Sequence, residues 1–297
     1  MALLIIGGDS RLGNELNKIS KSEGVKVYKT TRRFYHCRKE WIYLNLPDFK
    51  DFKVPFDVKI AVILGGVTSY SECESNFELA KKINCVAIPS IIEKLCVAGI
   101  FTCYISSNVV FKKDFPPKEN IIVNPQKGFK YAELKAETEN VLKDLATKGG
   151  WKDRLAILRI SKNVSDDTAP FNEWIKSIKK GENIIALDDL FFSPITFIDS
   201  AETINEICKR RLCGFFHLSG ETDLSYYDFA IQLFSYLGIN ADKVKKVSSY
   251  EVGLKLKYNH KITSLNMSST IKSLDIYPVK LQRIFRYIEY IIKKNVN

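Results

Sequence analysis

The sequence predicts an α/β chain with a doubly wound parallel sheet, and three observations carry that expectation. Short apolar runs alternate with helical patterns over the first half of the 297 residues; the first run passes through the small residues of "GGDSRLG" straight into a helix; and from about residue 163 the alternation loosens into shorter helices broken by "KKGEN" and "GETD". Residues 1–162 therefore form the doubly wound unit, and residues 163–297 a smaller C-terminal α/β subdomain that supplies part of a pocket.

Taken in order, the expected strands are Leu3 to Ile6, Val25 to Lys29, Trp41 to Leu44, Val58 to Leu64, Thr102 to Ser106 and Leu155 to Ile160. Helical periodicity lies between most of them, at Leu12 to Glu23, Asn76 to Ala98 and Tyr131 to Thr147. The second half offers helices over Phe171 to Lys180, Ala201 to Arg210, Ser225 to Leu237 and Lys280 to Lys294. In a sheet of this class ligands sit beyond the carboxyl ends of the strands, so the strand ends are where chemistry is sought.

The composition is globular, with 45% hydrophobic and 12% aromatic residues. Apolar runs such as "KIAVILGGV" are too short to span a bilayer, and "MALLIIGG" lacks a basic leader, so the expectation is a cytoplasmic protein without a membrane partner. Seven cysteines form an odd set without a C-x-x-C pair, which argues against a disulfide framework or a zinc site. A formal net charge of +11 suits anionic ligands. The lysines are spread along the whole chain rather than gathered into a stripe, so nucleic acid is not the expected partner.

In "LLIIGGDSRLGNEL", Gly7 and Gly13 occupy the first and third positions of a G-x-x-G-x-x-G turn, and Ser10 the middle one. The helix N-terminus that follows, at Arg11 and Leu12, offers free N–H groups to a phosphate. At the end of the second strand, "KTTRR" places Thr31, Arg32 and Arg33 where a dinucleotide fold meets the adenosine ribose. Basic residues there accept a 2'-phosphate, so NADP(H) is favoured over NAD(H).

Tyr131 and Lys135 in "YAELK" are four residues apart, on one helix face. The pattern is weak alone: 14 tyrosines in a lysine-rich chain give about 1.7 matches by chance, and it recurs at Tyr290 to Lys294. Position strengthens it. Ser107 follows the strand of "CYISSNVVF" 24 residues earlier, where a hydroxyl can bond a substrate carbonyl.

These segments together resemble an extended short-chain dehydrogenase/reductase, most closely the dTDP-4-dehydrorhamnose reductase branch of nucleotide-sugar proteins. "IIGGDSRLGNEL", "YLNL", "GGVTSYSECESNFELAKKINCVA", "YISSNVVF", "YAELKAETE", "LRIS", "SPITFID", "GFFHLSGETDLSYYDFA" and "SSTIKSLDI" match in family order over nearly the whole chain. The resemblance implies a Rossmann domain and a catalytic set of Ser107, Tyr131 and Lys135, with Asn84 helping to hold the lysine. It also implies cofactor contacts from Gly7, Ser10, Arg11, Leu12, Gly13, Thr31, Arg32, Arg33, Asn45, Leu46, Gly65 and Gly66, together with Tyr131 and Lys135. Lys135 would lower the Tyr131 phenol toward the working pH, so that the phenol protonates a carbonyl oxygen as hydride arrives from NADPH. The implied substrate is the keto group of a nucleotide-activated deoxysugar, as in glycan precursor synthesis, and a homodimer fits the family.

Three departures accompany the match. Ser10 replaces the middle glycine, Asn45 stands where an aspartate is usual, and Asn108 with Val109 replaces the reductases' "DY". The last pair cannot act as acid and base, which disfavours a dehydratase. His36, His217 and His260 are far apart and make no metal pattern; Asp188, Asp189 and Asp199 read as turn and cap residues, and Trp174 as core. Two rivals stay open: a non-catalytic nucleotide-binding regulator similar to the β subunit of methionine adenosyltransferase, and a nucleotide-sugar epimerase.

Overall fold

The computed structural model describes residues 2–112, 114–256 and 259–294. The expected doubly wound sheet is present. Its strands are β1 (Ala2–Ile6), β2 (Lys26–Thr31), β3 (Trp41–Tyr43), β4 (Val58–Ile63), β5 (Phe101–Ser107) and β6 (Leu155–Ile160). Between them run α1 (Arg11–Ser22), α2 (Tyr70–Ser75), α3 (Phe77–Lys81), α4 (Ile88–Val97) and α5 (Lys130–Gly149).

The second half contributes β7 (Lys162–Val164), α6 (Phe171–Lys180), β8 (Ile184–Leu187), β9 (Phe191–Phe192), β10 (Pro194–Thr196) and α7 (Phe197–Arg210). It continues through β11 (Gly214–Leu218), β12 (Leu224–Ser225), α8 (Tyr226–Tyr236), β13 (Val244–Val247), α9 (Ser268–Leu274) and α10 (Leu281–Lys294). β11 is the seventh strand of the large sheet, whose order is β11-β6-β5-β4-β1-β2-β3, every pairing parallel. The chain after residue 163 thus returns to the sheet of the first half and supplies its seventh strand.

Alternation along the strands divides the core in two. Leu3, Ile5, Val62, Cys103 and Leu158 face α1 and α7 in a cluster that runs on into the second half of the chain through Phe171, Trp174 and Phe229. Leu4, Ala61, Ile63, Tyr104 and Ile157 face α4 and α5 on the other side. A sheet covered on both faces explains why its strands read as continuous apolar runs.

The single helix expected over Asn76 to Ala98 is a composite. Ser69 caps α2, a break falls at Asn76 (φ −134°, ψ 49°), and a π-helical turn over Lys82–Ala87 joins α3 to α4. Pro89 has no N–H for the carbonyl four residues back, at Cys85, and a wide turn ahead of it relieves that mismatch. Asn84 lies in this turn.

Candidate active site

The sheet order reverses between β1 and β4, and a cavity of about 830 Å3 opens at the carboxyl ends of the strands. It brings together Ser10, Arg11, Leu12, Ser107, Tyr131 and Lys135, residues up to 125 apart in sequence.

The glycine turn is built to let backbone approach backbone. Gly7 has φ +88°, and a Cβ there would sit 2.6 Å from the Gly65 amide; one at Gly13 would sit 2.9 Å from the Gly7 carbonyl. Ser10 is not forced into a glycine conformation (φ −71°) and serves as the N-cap of α1. Its hydroxyl accepts from the Gly13 amide at 3.0 Å and donates to the Gly7 carbonyl at 2.7 Å. The side chain is thereby turned back into the loop. The amides of Arg11 and Leu12, in the first helical turn, have no acceptor within the helix and border the cavity. That cradle fits the pyrophosphate of a dinucleotide.

Arg11 also reaches across to the second half of the chain. Its guanidinium pairs with Asp166 and with Asp167 at 3.1 Å, and donates to the Tyr287 hydroxyl at 3.1 Å.

Thr31 is buried at the end of β2 and its hydroxyl accepts from the Arg33 amide at 3.0 Å. Arg32 and Arg33 are exposed just beyond it, and neither has a carboxylate partner among the described residues. Asn45 donates to the Asp48 carboxylate at 2.7 Å, closing its own loop, with Leu46 following it against Gly65. These residues and Gly65 and Gly66, which follow β4, lie at strand ends outside the cavity lining.

On the side of the cavity that holds Ser107, α5 turns Tyr131, Lys135, Thr138 and Glu139 toward the sheet, and all four are buried. Tyr131 stands beside Ser107, whose hydroxyl supports the phenolate, but burial dominates and pushes the phenol well above its ordinary value. The expected lowering by Lys135 is therefore corrected. The Lys135 ammonium is drawn toward the sheet, donating to the Tyr104 hydroxyl at 3.0 Å and the Ile105 carbonyl at 2.9 Å. Burial lowers its own pKa to about 8, against the pull of Glu139.

Asn84 bonds the backbone after Gly66 on one side and α5 on the other. Its side chain accepts from the Val67 amide and donates to the Val67 carbonyl, both at 2.9 Å, while its own carbonyl accepts from Thr138 at 3.0 Å. No hydrogen bond joins Asn84 to Lys135 among the described residues. The asparagine pins the segment after Gly66; Tyr104 and Ile105 hold the lysine.

Several site residues escaped the sequence reading. Tyr104 is three positions before Ser107, on the strand face that carries Ser106; a period-two reading of "CYISS" would have placed it under α5. Tyr70 packs its ring 5.1 Å from that of Tyr131 and 4.8 Å from that of Phe129. Half its surface is accessible, yet burial pushes its hydroxyl up to about 12, because the ring opens on the cavity and not on bulk water. Tyr226, from α8, lines the same cavity, and desolvation raises it too.

Below the site a buried network joins five segments. Arg159 of β6 pairs with Glu139 of α5 at 2.7 Å, both 2% exposed, and Glu139 accepts from Ser106 of β5 at 2.5 Å. Arg159 also donates to the Glu119 carbonyl at 3.0 Å and approaches His217 of β11 at 3.2 Å. The His217 Nδ1 lies 2.8 Å from the Asn266 carbonyl, which makes it the donor there and leaves Nε2 as acceptor for Arg159. His217 is a satisfied structural histidine. Asp199 closes a capping box with Thr196, and Trp174 is core, its Nε1 donating to the Ile185 carbonyl at 2.9 Å.

With this geometry in hand, the sequence model for the RmlD substrate binding domain matches residues 1–279. The chain belongs to the RmlD family. Among family relatives, a dTDP-4-dehydrorhamnose reductase from Aggregatibacter actinomycetemcomitans is 25% identical over 245 residues, 78% of each chain. The solved dTDP-4-dehydrorhamnose reductase of Clostridium acetobutylicum superposes with a TM-score of 0.77 at 22% identity, covering 98% of this chain and 99% of that one. The Bacillus anthracis enzyme, solved in complex with NADP, gives 0.78 at 20% identity over 98% and 99%. No helix among the described residues is long and apolar enough to cross a membrane.

Proposed function

We propose that this RmlD-family chain is an NADP(H)-dependent reductase acting on the keto group of a nucleotide-activated deoxysugar, in the manner of a dTDP-4-dehydrorhamnose reductase. One observation carries the reading: a single cavity joins Ser107, Tyr131 and Lys135 to the free N-terminus of α1. Residues 1–162 hold the cofactor and the reacting groups, and residues 163–297 wall the substrate. Arg32 and Arg33, exposed and without acidic partners at the end of β2, favour the 2'-phosphorylated cofactor.

When bound, NADPH supplies the hydride. Ser107 orients the substrate carbonyl by donating to its oxygen. Tyr131 stays protonated at neutral pH because burial raises it, and so has a proton to give as negative charge grows on that oxygen. Lys135 places a positive charge behind the phenol and is itself fixed by Tyr104 and Ile105.

A non-catalytic nucleotide-binding regulator is the second reading, favoured by the engagement of Lys135 with Tyr104 instead of Tyr131. Titration of the purified protein with NADPH and NADH, followed by fluorescence and thermal shift, separates the readings. Exchangeable binding with NADPH preferred, and consumption of NADPH on addition of a keto-sugar nucleotide, supports the reductase. Nicotinamide retained through purification supports an epimerase, and binding without turnover the regulator.

A further inference from the structure

Two residues beyond the end of β6 the chain enters the rim of the cavity with a cation. Ile160 is the Cα partner of Ser107 across the β5–β6 ladder, and Ile160, Ser161, Lys162 and Asn163 all line the cavity. The Lys162 backbone is fixed there: its amide donates to the Ser193 carbonyl at 3.3 Å, and β7 pairs with β10 from this residue onward. Its side chain is only partly exposed.

Every other cation among the described residues that line this cavity is engaged or solvated. Arg11 has two aspartates, Lys135 has Tyr104 and the Ile105 carbonyl, and Lys255 is exposed. Lys162 has no hydrogen-bond or ion-pair partner among the described residues. Desolvation lowers its pKa with no charge opposing the shift. The described cavity lining includes one carboxylate, Glu74. An ammonium taken from water without a counter-charge costs folding free energy, and such a violation of local consistency marks a functional position. An arriving anion offsets that cost.

We propose that Lys162 is a specificity-determining residue that receives an anionic group of the sugar nucleotide, either the glycosyl diphosphate or a carboxylate carried by the sugar. Its place two residues past the strand partner of Ser107 sets it on the wall of the same cavity as that hydroxyl. This assignment rests on the nucleotide-sugar reading and sharpens the substrate class.

The test compares the native chain with Lys162→Met, Lys162→Arg and, as a control for lost charge, the exposed Lys245→Met. Calorimetric affinities are measured for dTDP, UDP, UDP-glucose and UDP-glucuronate, with the thermal midpoint of each unliganded protein. Lys162→Met is expected to bind at least about tenfold more weakly, to be restored in part by Lys162→Arg, and to melt no lower than the native chain when unliganded. Equal weakening for all bound probes identifies the diphosphate as the anion, and weakening confined to UDP-glucuronate identifies the sugar carboxylate. Undiminished affinity for every probe, or the same weakening in Lys245→Met, overturns the assignment alone. A native chain that binds none of the probes overturns the nucleotide-sugar reading and this one with it.

Discussion

The phenol of Tyr131 and the ammonium of Lys135 are four residues apart, yet their environments drive their titrations in opposite directions. Burial holds the phenol in its acid form through the neutral range, whereas Lys135 loses its proton as pH rises through about 8. The rate of carbonyl reduction is therefore expected to fall above about pH 8, with the midpoint following the loss of the lysine charge. A pH–rate profile taken with saturating NADPH checks this; a rate that holds level through pH 9 and falls only above it would assign the limb to the phenol instead. That these residues meet at one cavity was legible in the sequence because Tyr-x-x-x-Lys opens a helix 24 residues after a strand-end serine. Their tuning was not, because it depends on which groups surround them. Tyr104 captures the lysine, and Tyr70 with Phe129 desolvates the phenol, contacts that only the packing of α5 against β5 and α2 creates.

At the level of elements, the first turn of α1 and the π-helical turn around Asn84 position the site. Ser10 looked like damage to a glycine loop. In place it is a helix cap, so Ser10→Ala is expected to lower stability by about 1 kcal/mol and Ser10→Gly by only a few tenths, measured by urea unfolding. Asn84→Ala leaves the buried Val67 amide and carbonyl without their partner, and a loss of about 1–3 kcal/mol is expected. Gly66 tolerates no side chain beside it: φ is +138° and a Cβ would lie 2.9 Å from the Asn84 Oδ1. Periodicity showed the strands and α5 clearly. It could not resolve Asn76 to Ala98 into three helical pieces, since a break at one asparagine and one widened turn hardly disturb an apolar pattern.

Across the whole molecule, the second half is woven into the first. β11 extends the large sheet beyond β6, α7 packs along α1, and the buried Arg159 pair links β5, β6, β11, α5 and the segment at Glu119. Arg159→Met strands Glu139 without its counter-charge, and a loss of about 3–5 kcal/mol is expected, read by chemical denaturation. The sequence did not show that β11 joins this sheet, because pairing partners 50 or more residues apart leave no local trace. The central claim remains that Tyr131 donates the proton in a hydride reduction. It is tested most directly by following NADPH absorbance when a 4-keto-6-deoxysugar nucleotide is added to the native chain and to Tyr131→Phe, each with its NADPH affinity measured beforehand. The account predicts equal NADPH affinity and a rate reduced by about 10²–10⁴ in the variant; a variant that consumes NADPH as fast as the native chain would contradict it.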